Sequence, residues 1–137
     1  KGGVAGHAYS GVSVDIPGYG YELKVPYDVC CCTAACLMTS KKKYLEVEGL
    51  NEDLKVAFND VDFGLKLLKV GYRNVMMPSV KLYHYESKSR GMDKSAEQLK
   101  RYYAECDYMK EHWNAYIEHD PFYNDNYSKN SDYQLQE

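Results

Sequence analysis

Residues 58–70 carry apolar side chains around too much of a helix to leave it on a surface. Val61, Leu65 and Leu68 fall at i, i+4 and i+7, and Phe63, Leu67 and Val70 widen the stripe. Such a pattern predicts a largely buried helix that the rest of the chain must enclose. Asn59 or Asp60 reads as its cap and Gly71 as its stop. The chain of 137 residues has room for one modest domain and one core around that helix.

The flanking segments supply the enclosure. Residues 1–11 include Gly2, Gly3, Gly6 and Gly11 and read as a loop. Residues 13–27 continue irregularly past Pro17-Gly18 and Pro26, a length that suits a functional loop. Residues 29–38 are small and apolar, and a strand is expected over 35–39. Ser40 then caps a short helix over 41–47 that Gly49 ends. After the buried helix, residues 73–77 and 80–85 read as strands parted by Pro78. Residues 93–113 read as a long helix that packs through Leu99, Tyr102, Tyr103, Cys106, Met109 and Trp113. From His119 onward the chain is polar, a loop or disordered tail. The fold class this spells is α/β.

Bulk properties exclude several functions. A formal net charge of −3 offers no nucleic-acid footprint, and Lys41-Lys42-Lys43 reads as a solvated helix start. No apolar run is long enough to span a bilayer, and no signal-peptide pattern is present. The five cysteines are odd in number and Cys30, Cys31 and Cys32 are consecutive, with Cys36 and Cys106 apart. That spacing argues for reduced, packed thiols rather than a disulfide framework or a zinc site. Fifteen tyrosines suit a polar ligand cleft or a protein interface, and composition does not choose between them.

Three clusters could carry chemistry. Asn59-Asp60-Val61-Asp62 lies at the mouth of the buried helix, whose positive end favours ionised carboxylates. Such a carboxylate can take a proton from a hydroxyl, help hold a cation, or simply cap the helix. His84, Ser87, Ser89 and Arg90 follow an expected strand, where open α/β sheets place their sites. Histidine could ligate a metal there, and serine and arginine could hold phosphate oxygens; a plain polar loop reads equally from these residues. The small residues of Cys32-Thr33-Ala34-Ala35-Cys36 would let a ligand approach the backbone, or form a core strand.

Together these segments resemble family 2 bacterial glycosyltransferases of the GT-A fold. The resemblance runs from Gly2 to about Gly91, with a fainter echo at Asp120-Pro121-Phe122-Tyr123-Asn124. Gly2-Gly3-Val4-Ala5-Gly6-His7 is similar to a recurring mid-domain segment. Thr33-Ala34-Ala35-Cys36-Leu37-Met38 is similar to a "TGACLM" strand, with Ala34 in place of glycine. Ala57-Phe58-Asn59-Asp60-Val61-Asp62 looks like "AFNDVD". His84-Tyr85-Glu86-Ser87-Lys88-Ser89-Arg90-Gly91 looks like "HxESxSRG". Glu48-Gly49-Leu50-Asn51-Glu52 departs from the common "GGFDE", with Asn51 at the acidic place.

The resemblance implies transfer of a sugar from a nucleotide-diphosphate donor to an acceptor hydroxyl, in cell-surface polysaccharide synthesis. Asp60 would be the general base, with Asp62 and Asn59 orienting; residues two apart on a helix point about 200° apart, so both aspartates should not face one substrate. Thr33 and Ala34 would line the acceptor or sugar pocket, Ser87 and Arg90 the diphosphate, and His84 would complete a site for a divalent metal, Mn or Mg. No Asp-x-Asp precedes the cysteine cluster. The expected architecture is therefore the carboxy-terminal half of a GT-A domain: residues 1–91 with a mixed sheet, a helix over 92–118 packed on it, and a polar tail over 119–137. The metal and donor would be held mostly by a missing amino-terminal half, and this chain alone would be inactive. A glycan or lipid-linked acceptor, a cytoplasmic setting and peripheral contact of the parent with the inner membrane face follow from the same resemblance. The alternative reading is a stand-alone, tyrosine-rich module binding a glycan or a protein.

Overall fold

The computed structural model describes residues 3–85, 95–129 and 133–135. Its elements are β1 (Tyr27–Val29), α1 (Lys41–Glu46), α2 (Asn59–Lys69), β2 (Asn74–Met76) and α3 (Ala96–Glu118), with short 3-10 turns at Tyr19–Lys24 and Ala34–Cys36. β1 and β2 pair antiparallel, Asp28 opposite Val75.

As the apolar pattern predicts, α2 is the hub and buries two faces. Leu65 packs with Leu54, Met109 and Trp113, while Phe63 and Leu67 pack with Val47. Gly64 lets residues 30–31 lie directly on the helix: a Cβ there would sit 2.6 Å from Cys31 Cβ, a distance real carbons do not tolerate. Asn74 ties the layers together, its Nδ2 donating to Cys30 O at 2.7 Å and Gly64 O at 2.8 Å. Such backbone acceptors are satisfied here without a wider sheet.

The helix ends follow local chemistry. Ser40 Oγ accepts from Lys43 N at 3.3 Å and opens α1. Ser95 and Gln98 form a reciprocal capping box that starts α3. α2 departs from expectation. Its N-cap is Phe58, in the left-handed region at φ 61° with no side-chain cap. Asn59 and Asp60 both lie inside the first turn. The left-handed residue costs roughly 1–2 kcal/mol. Phe58 packs on the Leu54–Met109 core and its ring lies tilted against Tyr102, contacts that offset that cost.

Several expectations need correction. The sheet has two antiparallel strands among the described residues, not a mixed arrangement. Residues 35–39 are not a strand: Thr33 Oγ1 accepts from Ala35 N at 3.3 Å and turns the chain into the 3-10 turn instead. Residues 80–85 are exposed and form no ladder among the described residues. α3 packs through Met109 and Trp113 as expected, but not through the whole of the expected stripe. Its buried residues are Glu105, Met109 and Trp113, whereas Leu99 and Tyr103 face solvent.

The described part of the tail is folded onto the opening loop. Tyr9 and Tyr133 hydroxyls both donate to Glu22 Oε1. Tyr19 stacks on Tyr133 with ring centres 4.6 Å apart, and Tyr127 donates to the Tyr19 hydroxyl at 2.6 Å. Among the described residues no helix is long and apolar enough to cross a membrane.

Candidate functional site

The first turn of α2 brings together two of the three clusters singled out in the sequence. Asp60 is half-buried. Its Oδ2 accepts from Ala34 N at 2.9 Å, and its Oδ1 accepts from Val61 N at 3.0 Å. The carboxylate is thus oriented by two backbone N–H groups, one from its own helix and one from the Thr33-Ala34 turn. Both Thr33 and Ala34 are exposed, so this junction opens to solvent.

Asp62 is placed differently. It is 1% exposed; Oδ1 accepts from Trp113 Nε1 at 2.8 Å, and Oδ2 lies 3.0 Å from Lys66 Nζ in an ion pair outside hydrogen-bond alignment. It faces the core while Asp60 faces the turn, as their spacing on a helix dictates. Asn59 is a clamp for the preceding loop. Its Nδ2 donates to Asn51 O and Leu54 O at 2.7 Å each, and its Oδ1 accepts from Asn51 N at 2.9 Å. Asn51, the departure from an acidic motif, therefore has a defined place: its Nδ2 reaches Tyr108 hydroxyl on α3 at 2.7 Å.

His84 is exposed and has no hydrogen-bond partner among the described residues. Ser87 and Arg90 lie outside the described residues. Among the described residues no group of three His, Cys, Asp or Glu side chains converges to hold a metal ion. His84 is a single candidate ligand, and metal sites need several.

The cysteine run behind Asp60 is a packing element. Burial first, then the nearby Asp60, pushes the Cys31 thiol up to about 12. Burial and the Asp120 carboxylate raise Cys30, whose Sγ donates to Asp120 Oδ1 at 3.1 Å. Thiols so raised stay protonated and are poor nucleophiles or ligands. Sequence reasoning missed Asp120 as a structural partner because 90 residues separate it from Cys30.

Comparison with known proteins bears on what this arrangement belongs to. Over 126 residues, 91% of the chain, it is 43% identical to uncharacterized protein y4gI of Sinorhizobium fredii, of which it covers 14%. A 61-residue stretch is 31% identical to N-acetylglucosaminyl-diphospho-decaprenol L-rhamnosyltransferase of Mycobacterium tuberculosis, covering 44% of this chain and 20% of that enzyme. A stretch of the same length is 34% identical to O-antigen biosynthesis protein RfbC of Myxococcus xanthus, covering 5% of that protein. The chain spans a fifth or less of the length of these curated relatives. No family model and no solved structure matches it. In class, then, part of the chain is similar to a rhamnosyltransferase and to an O-antigen biosynthesis protein.

Proposed function

We propose that this chain is the base and acceptor side of a glycosyltransferase of GT-A type. The enzyme moves a sugar from a nucleotide-diphosphate donor to a hydroxyl of a glycan or lipid-linked acceptor in cell-surface polysaccharide synthesis. The observation that carries the reading is the Asp60 junction: a half-buried carboxylate, held by Ala34 N and Val61 N, beside an exposed turn of small residues. The partial likeness to a rhamnosyltransferase supports it.

In this reading an acceptor hydroxyl donates its hydrogen to Asp60. As the hydroxyl oxygen attacks the anomeric carbon, its proton passes to the carboxylate and the bond to the diphosphate breaks. Backbone donors that already hold Asp60 fix its orientation, so binding does not have to order it. Asn59 fastens the preceding loop to the start of α2, and Asp62 anchors the helix to α3. In this reading Ser87 and Arg90 would contact the diphosphate, and His84 would be one ligand of a divalent metal that stabilises the leaving group. The donor-binding half lies elsewhere in the longer protein, and this chain by itself is inactive. The protein works in the cytoplasm, with its parent at the inner membrane face.

The test is Asp60→Asn in the longer parent protein, assayed for sugar transfer and separately for donor binding. Turnover should fall about 10²–10⁴-fold, the usual worth of a positioned base, with donor affinity kept. Retained turnover removes Asp60 from the role.

A further inference from the structure

We infer that Asn74 is a positioning residue for Asp60, although no hydrogen bond joins the two side chains. The inference rests on the reading of Asp60 as the base, and it adds the residue that fixes that carboxylate's partner in place. Asp60 Oδ2 accepts from Ala34 N at 2.9 Å. Ala34 stands in an exposed turn. Such a turn holds its N–H steady only if the segment leading into it is fixed.

That segment lies on α2 through a close backbone contact. Gly64 stands one helical turn beyond Asp60 on the same face, because residues i and i+4 lie one above the other. An added Cβ there would meet Cys31 Cα at 2.9 Å, so only glycine lets the segment rest on the helix. A glycine offers no side chain to interlock, however, and contact alone would let the segment slide. Asn74 supplies the fixed point. Its Nδ2 gives one hydrogen to Cys30 O at 2.7 Å and the other to Gly64 O at 2.8 Å. A single amide thus joins segment and helix at the turn where they touch. The backbone of Asn74 is held in turn, since it sits in β2 opposite Val29, the residue before Cys30. From Cys30 the constraint passes along residues 31–33 to the Ala34 N–H and so to the carboxylate. Thr33 Oγ1, accepting from Ala35 N at 3.3 Å, keeps the last step from swinging. Without the amide the segment is free to shift, and a displacement of about 1 Å near a reacting group can cost about 10²-fold in rate.

The test is made in the longer parent protein with Asn74→Ala, Asn74→Ser and Val47→Ala. Asn74→Ala should lower kcat about 10- to 100-fold, with KM for donor and acceptor kept within about two-fold. Asn74→Ser keeps one hydrogen to donate and should lose less. Val47→Ala opens a cavity in the core cluster of Phe63 and Leu67, which does not include the cysteine segment. It should lower the melting temperature and keep kcat. Asn74→Ala added to Asp60→Asn should cause no further loss, as for a residue that acts only through the base. Three results overturn the inference and leave the base role standing: kcat kept in Asn74→Ala, a fall in kcat that Val47→Ala matches at equal melting temperature, or losses that multiply in the double variant. Should Asn74→Ala fail to fold, Asn74→Ser carries the same comparisons. Full turnover in Asp60→Asn overturns the inference together with the base role.

Discussion

Asp60 and Asp62 are spelled alike and placed unlike, and the difference is testable at Trp113. The indole N–H is the hydrogen-bond donor to a carboxylate that is 1% exposed. Trp113→Phe keeps an aromatic ring in the core but leaves Asp62 Oδ1 without that donor. Stranding a buried acceptor costs about 1–3 kcal/mol, and some loss of packed volume adds to it. Urea unfolding should show a lower midpoint with an unchanged slope. A loss under about 0.5 kcal/mol would mean that Lys66, already 3.0 Å from Oδ2, carries the pair alone. The helical spacing anticipated that Asp62 turns away from Asp60. Its partner was not legible, because it lies 51 residues along the chain.

At the scale of elements, α3 holds the loop that leads into α2 through Glu105. Its two carboxylate oxygens accept from Val56 N at 3.1 Å and Ala57 N at 2.8 Å, and the residue is 4% exposed. Glu105→Ala removes both acceptors at once and leaves two backbone donors short of partners. The expected loss is about 2–4 kcal/mol, read by chemical denaturation. Glu105→Gln keeps one acceptor and should lose markedly less; equal losses would show that packing rather than the paired hydrogen bonds matters. This contact explains why the apolar stripe found Met109 and Trp113 but not the buried Glu105 of α3. Stripe reading assumes that a glutamate faces water. Here a glutamate faces inward because the 56–57 backbone, bent around the left-handed Phe58, has N–H groups that no strand or helix uses. The buried helix α2 was legible because its apolar residues cover it on two sides and need no distant partner to be recognised. The 3-10 turn at Ala34–Cys36 was not, since small apolar residues suit a strand as well, and the Thr33 hydroxyl decided it.

Across the whole molecule, the two ends of the described chain meet in one tyrosine cluster, and that closure should be sensitive to alkali. Tyr9 is raised to about 12, by burial first and then by its hydrogen bond to Glu22. Tyr133 is raised by the same two causes in the same order. An unfolded tyrosine loses its proton near pH 10, on the order of two pH units below folded Tyr9. Between those values the folded chain holds protons that the unfolded chain has released. Stability from these groups is therefore full below about pH 10 and drains as pH rises toward about 12. The half-buried thiols of Cys30 and Cys31 act with the same sign from lower pH, so wild-type unfolding alone does not isolate the tyrosines. Glu22→Gln does. It removes the negative charge that opposes phenolate formation and leaves an oxygen to accept. Thermal midpoints of the variant should fall less steeply than those of the parent above about pH 10. Parallel curves would place the alkaline loss in the thiols, and the tyrosine contacts would then join tail to loop without governing how the fold responds to pH.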